Sequence, residues 1–262
     1  MSENIGTYEL DVPFKAFYTD TPDCEPCIRY YAVLFEVYSG SAVISFGNTS
    51  VTLKSGQMCL IRPLVSYSIS CAEGRFAELH FDIHTLELPK PFVSEMYRLF
   101  GEKCGNDEKY TVFSAKSIHG FLENLIKLSE SEYFIAYSLL ISILSWLCGH
   151  LNVSGGNDKF YRICEFIDVH SSEQTEASDI AEMCGMSYSA FAKRFHEQFG
   201  RSCKEHISYV RTVKARTLLM NTDMELTDIA HETGFFDCSH LIRNYKRRFG
   251  VTPNRDRINR RK

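Results

Sequence analysis

No secretory leader is expected: the first residues given, MSENIGTYELD, are acidic rather than basic and then apolar. Ten cysteines are scattered along it without framework spacing, which argues against a disulfide-stapled secreted domain and makes a reduced cytoplasm the expected compartment. One C-x-x-C occurs, Cys24-Glu25-Pro26-Cys27, but no second pair and no nearby His pair completes a set of four zinc ligands. It reads as two thiols in an N-terminal loop, with a redox switch through Cys24 and Cys27 as the alternative. Also missing are a Ser/His/Asp pattern, a phosphate loop and a close carboxylate pair, so neither a catalytic residue nor a cofactor is expected. Charge is absent from residues 133–157, which contain no Asp, Glu, Lys or Arg. Ser138, Ser142 and Ser145 interrupt that run and basic flanks are lacking, so no membrane partner is expected. Leu140, Ile143, Leu144 and Leu147 recur at helical spacing there, which predicts a buried helix or a helix–helix interface.

What is present divides into two halves. The formal charge of −4 over 262 residues conceals opposite signs: residues 1–158 carry 11 Lys and Arg against 19 Asp and Glu, and residues 159–262 carry 18 against 14. Nine basic residues and one acid fall between Arg243 and Lys262, a local cationic surface suited to phosphates. Ser154-Gly155-Gly156-Asn157 marks a flexible join between the halves. From residue 30 to 82, six runs rich in β-branched and aromatic residues (YAVLFEVY, AVISF, SVTL, MCLIR, YSISC, FAELHF) are separated by Gly, Ser, Asn and Pro. That spacing predicts a small antiparallel barrel or sandwich. After Pro91 the pattern becomes helical: FVSEMYRLF, SIHGFLENLIKLSE, then the uncharged run.

Beyond the join the sequence repeats itself. Ile180-Ala181-x-x-x-Gly185 returns 49 residues later as Ile229-Ala230-x-x-x-Gly234, and each glycine leads to a helical pattern ending in Phe-Gly, at 199–200 and 249–250. In the second copy Leu226, Ile229 and Ala230 bury one face of a short helix, Gly234 supplies a tight turn, and Asp237 caps a new helix buried through Leu241, Tyr245 and Phe249. Ser239, His240, Arg243, Lys246 and Arg247 then face outward. In the first copy Phe191, Phe195 and Phe199 are the buried positions, Ser187 is the cap, and Ser189, Ala192, Lys193 and His196 face outward. Helix, turn, helix with a polar and cationic second helix is the pattern of a major-groove reader.

IAEMCGMSYSAFAKRFHEQFG followed by IAHETGFFDCSHLIRNYKRRFGVTP resembles the paired helix-turn-helix domain of the AraC/XylS family of bacterial transcription regulators. Ile229, Ala230, Gly234, Phe235, Asp237, Ser239, Arg243, Lys246, Gly250, Thr252 and Pro253 carry the match. The chain departs from the family pattern where Leu241 and Tyr245 replace Phe, Asp256 replaces Tyr, and Cys203 replaces Pro. The resemblance implies recognition helices over 187–198 and 238–249, joined by a connecting helix over 207–219. It implies DNA contacts from Ser187, Ser189, Ala192, Lys193, His196, Ser239, His240, Arg243, Lys246 and Arg247.

The fold class expected is α+β: an N-terminal cupin-like antiparallel β-barrel with following helices, then an all-α domain with two helix-turn-helix units. The expected domains are a cupin-like effector domain over 1–92, dimerising helices over 93–153, a linker over 154–158 and a DNA-binding domain over 159–262. Metal-binding cupins cluster His with Glu on the barrel wall, and only His80 and His84 occur here, so no metal is expected. Tyr38, Phe46, Arg62, Tyr67 and His80 are the pocket candidates. Expected partners are double-stranded promoter DNA, read in the major groove, a small-molecule effector of unknown class, RNA polymerase and a second copy of the chain. A cupin-type enzyme with a DNA-binding tail is the competing reading.

Overall fold

In a computed structural model, the described residues are 6–8, 10–22, 24–63, 65–71, 73–86, 88, 92, 95–96, 99–100, 109–151, 166–167, 170–173, 176–199 and 201–260. The expected linker over 154–158 lies outside them, as do Gly200 and the side chains of Cys24 and Phe199. The chain separates into two compact units, one comprising residues 1–10, 14–83 and 95–156, the other residues 11–13, 84–94 and 157–262.

Among the described residues the first unit has ten strands: β1 (Gly6–Tyr8), β2 (Phe14–Thr19), β3 (Cys24–Arg29), β4 (Ala32–Ser39), β5 (Ser41–Phe46), β6 (Thr49–Lys54), β7 (Gln57–Ile61), β8 (Ser66–Cys71), β9 (Arg75–Phe81) and β10 (Tyr110–Ser114). They form two five-stranded sheets, ordered β1-β3-β8-β5-β6 and β10-β7-β4-β9-β2, antiparallel except for the β1–β3 pair. Alternation along each strand sends one set of side chains between the sheets. Val33, Phe35, Val37, Cys59, Ile61 and Phe76 from one sheet meet Cys27, Ala42, Ile44, Phe46, Leu53, Tyr67 and Ile69 from the other. All six strands expected from the sequence form, and the two facing sheets are the β half of an α+β chain.

Two helices, α1 (His119–Lys127) and α2 (Tyr133–His150), accompany the second sheet. Tyr133 and Tyr137 of α2 contact Phe14 on β2 at 5.9 and 6.0 Å between ring centroids, and Trp146 contacts Phe113 on β10 at 5.4 Å. The helix therefore crosses the sheet from one edge to the other. By length and composition it could cross a membrane, yet only 22% of its apolar window is buried. The expected buried helix is thus covered on one face only. Leu140, Ile143, Leu144 and Leu147 point inward, while Phe134 is 75% and Ile135 53% exposed.

One further expectation is corrected. Cys24 and Cys27 lie on strand β3, not in a loop, and Cys27 is buried in the inter-sheet core. Pro26, which donates no backbone hydrogen bond, falls within the irregular register between them, where no ladder partner requires one.

The second unit is helical: α3 (Ala177–Met183), α4 (Tyr188–Phe199), α5 (Cys203–Asn221), α6 (Leu226–Glu232), α7 (Cys238–Phe249) and α8 (Pro253–Arg260). Ser202 and Glu205 form a capping box that starts α5. Its 19 residues span about 28 Å at 1.5 Å per residue.

Candidate nucleic-acid interface

The two helical repeats fold by the same local bonds. In the first, the Met186 N–H donates to the Ala181 carbonyl at 3.0 Å and Gly185 adopts φ +64. In the second, the Phe235 N–H donates to the Ala230 carbonyl at 2.8 Å and Gly234 adopts φ +78. Each left-handed glycine ends one helix and swings the chain into the next. At Gly234 the requirement is double, because a Cβ there would also stand 2.6 Å from the Ser172 carbonyl oxygen. The following helix is then capped: Asp237 Oδ1 accepts the His240 N–H at 2.6 Å, and Ser187 Oγ accepts the Ala190 N–H at 3.3 Å.

Beneath α7 lies an apolar seat of Ala215, Leu219, Ile229, Ala230, Phe235, Leu241 and Tyr245. Two departures from the family pattern answer each other here. The Tyr245 hydroxyl donates to Asp256 Oδ2 at 2.7 Å, and Arg216 of α5 donates to the same oxygen at 3.1 Å. Burial, then the bond to Asp256, holds the Tyr245 phenol above its usual range, so it stays a donor.

Burying Leu241 and Tyr245 leaves the other face of α7 in solvent, and it carries Ser239, His240, Arg243, Lys246 and Arg247, all exposed. The side chains of Arg243 and Lys246 are engaged in no hydrogen bond or ion pair among the described residues. Arg247 is steadied by Asn244, whose Oδ1 accepts from it at 2.8 Å and from Ser208 of α5 at 3.0 Å. Buried Asn244 was not legible as a site residue. Its only sequence signal is its place on the helix three residues after Leu241 and next to Tyr245, the two buried positions. His240 sets its ring edge-on to Phe235 at 5.4 Å. On α4, Ser187, Ser189, Lys193 and His196 are exposed and Ala192 is half-buried.

The five pocket candidates of the β unit do not converge. Val33, Phe35 and Val37 point between the sheets, so Tyr38, of opposite parity on β4, faces the other side and packs its ring on His119 at 4.6 Å. Arg62 follows β7, where its backbone N–H meets the Lys109 carbonyl at 3.2 Å. Phe46, Tyr67 and His80 do share the interior, linked by a residue the sequence reading missed. Arg29 stands over the Tyr67 ring at 5.3 Å and approaches His80 Nε2 at 3.0 Å and Glu78 Oε2 at 3.4 Å. Glu78 and His80 themselves meet at 2.5 Å. Burial raises the Glu78 carboxyl, but the His80 and Arg29 bonds outweigh it and hold the group below its ordinary range. Among the described residues there is no group of three or more His, Cys, Asp or Glu that could hold a metal ion.

Residues 180–258 match the family described as a helix-turn-helix domain. The transcriptional regulator ExsA of Pseudomonas aeruginosa is 34% identical over 136 residues, which take in 50% of this chain and 46% of that protein. The virulence regulon transcriptional activator VirF of Yersinia enterocolitica is 27% identical over 236 residues, covering 82% of this chain and 85% of that protein. The structure of ToxT from Vibrio cholerae with an unsaturated fatty acid bound superposes with a TM-score of 0.45 at 14% identity, over 94% of this chain and 95% of that one. With the duplicated turns, the caps and the exposed cationic face of α7 in place, residues 180–258 form a helix-turn-helix domain, and the relatives that share it are transcription regulators.

Proposed function

We propose that this regulator reads a specific promoter sequence in two successive major grooves through α4 and α7, and that it acts as an effector-responsive activator working as a homodimer in the cytoplasm. The observation that carries this is the exposed row Ser239, His240, Arg243, Lys246 and Arg247 on a helix whose opposite face is fully seated. Arg243 is the principal base reader, because its guanidinium can pair with both acceptors of a guanine. Lys246 and Arg247 hold phosphates, and Ser187, Ser189, Ala192, Lys193 and His196 make the lighter contacts of the first unit. The activator assignment follows the naming of relatives such as VirF, and carries with it a contact to RNA polymerase.

Residues 1–92 serve as the sensor, 93–153 as the dimerising region, 154–158 as the linker and 159–262 as the DNA reader. The interior cluster of Arg29, Tyr67, Phe46 and His80 is the place where a small effector would act, and it supports binding rather than catalysis. A thiol switch through Cys24 and Cys27 is disfavoured by strand geometry, which separates residues three apart by about 10 Å; a disulfide needs Cα atoms within about 7 Å. The test is a titration of purified protein, at fixed salt, against duplexes enriched from a random pool. Enrichment of one motif that outcompetes bulk DNA by roughly 1,000-fold or more supports the reading, and failure to enrich any motif overturns it.

A further inference from the structure

Phe236 is 83% exposed, the most exposed of the large apolar side chains among the described residues. It precedes the cap Asp237, so it stands at the N-terminal end of α7, the end of a recognition helix that meets base edges. The backbone on both sides is fixed. Phe235 is buried in the seat of α7, and Asp237 is tied to the His240 N–H at 2.6 Å. Phe236 is therefore held out from the fold by its neighbours. In the first repeat an exposed ring stands on the other side of the cap: Tyr188, the first residue of α4 after the cap Ser187, is 59% exposed. Both readers thus begin with an aromatic ring presented to solvent beside the cap, although the turns differ by one residue in length.

An apolar ring at that end of a cationic helix has a fitting occupant in the major groove, where the only apolar group on the base edges is the thymine 5-methyl. Resting on the DNA-binding reading above, we infer that Phe236 is a specificity-determining residue that reads a thymine through its 5-methyl group, with Tyr188 placed to do the same in the neighbouring groove. Recognition would then combine polar pairing by Arg243 with an apolar contact at the helix start. Phosphate-directed residues cannot supply that contact, because a phosphate carries no base identity.

The experiment uses the full chain and the duplex motif enriched from a random pool. Each thymine of the motif is replaced singly by deoxyuridine, which deletes only the methyl. One such replacement under α7 is expected to weaken wild-type binding roughly 4-fold, the worth of one buried methyl. Phe236→Ala is expected to lose affinity on the thymine duplex and to become indifferent to that replacement, whereas Phe236→Leu keeps the sensitivity. Phe236→Ala binding all duplexes as wild type does would overturn the inference while leaving the DNA-binding reading intact. So would an equal loss on thymine and deoxyuridine duplexes, since that marks a packing defect. A wild-type protein that enriches no motif would instead remove the reading beneath it.

Discussion

At the scale of single residues, the outward face of α7 separates two kinds of contact that respond differently to mutation. Arg243→Ala is expected to cost about 1 to 3 kcal/mol of preference for the enriched motif and to relax discrimination at one base pair. Lys246→Ala is expected to weaken all duplexes alike and to lower the slope of log affinity against log salt by about 1. Titrations at several salt concentrations check both, and a Lys246 variant with selective loss would reverse the roles. The interior of the β unit supplies a pH dependence. Glu78 is held below its ordinary range by His80 and Arg29, against the pull of burial. A depressed carboxyl stabilises the fold at pH values above its unfolded-state pKa, and that contribution disappears as pH falls through the folded-state value. Glu78→Gln should lower stability by about 3 to 5 kcal/mol at neutral pH, because it leaves the Arg29 charge unpaired. It should also flatten the acid limb of stability against pH. Denaturant melts across the acid range measure this, and an unchanged limb would contradict the assignment.

At the scale of elements, the glycines of the second repeat make a contrast. Gly234 needs both positive φ and the absence of a Cβ, whereas Gly250, the left-handed cap of α7 at φ +74, has open space around it. Gly234→Ala is expected to destabilise the helical unit by about 3 kcal/mol or more, and Gly250→Asn by under about 1 kcal/mol, since asparagine tolerates that conformation. Thermal melts compare them; equal losses would show that the approach to Ser172 is unimportant. These elements were legible in the sequence because repeat spacing, turn glycines and caps all specify the same local structure. The six strands over 32–81 were legible for the same reason. Strands β1, β2, β3 and β10 were not: Pro26 and the bulge around it disguise β3, and β10 pairs with β7 only after a long sequence separation. Inward direction was also beyond the sequence. It took the register of β4 to turn Tyr38 away from Tyr67 and His80, and Arg29 emerged only once two sheets faced each other.

At the scale of the whole molecule, α2 leaves Phe134 and Ile135 in solvent on a helix without charge, a surface suited to a second copy. Ile135→Glu is expected to weaken self-association by about 2 kcal/mol, roughly 30-fold, as one buried aliphatic contact is lost. Sedimentation equilibrium reads this directly, and an unaltered dimer would place the interface elsewhere. The opposite charges of the two sequence halves, a basic one over 159–262 and an acidic one over 1–158, favour approach of DNA to the basic half. Whether both repeats engage at once is answered by hydroxyl-radical protection of an enriched duplex by the full chain. Two protected windows per protomer are expected on one side of the helix, spaced by about 10 base pairs, the distance between successive major grooves. A single window per protomer, or the same protection on a scrambled duplex, would contradict the paired-reader mechanism.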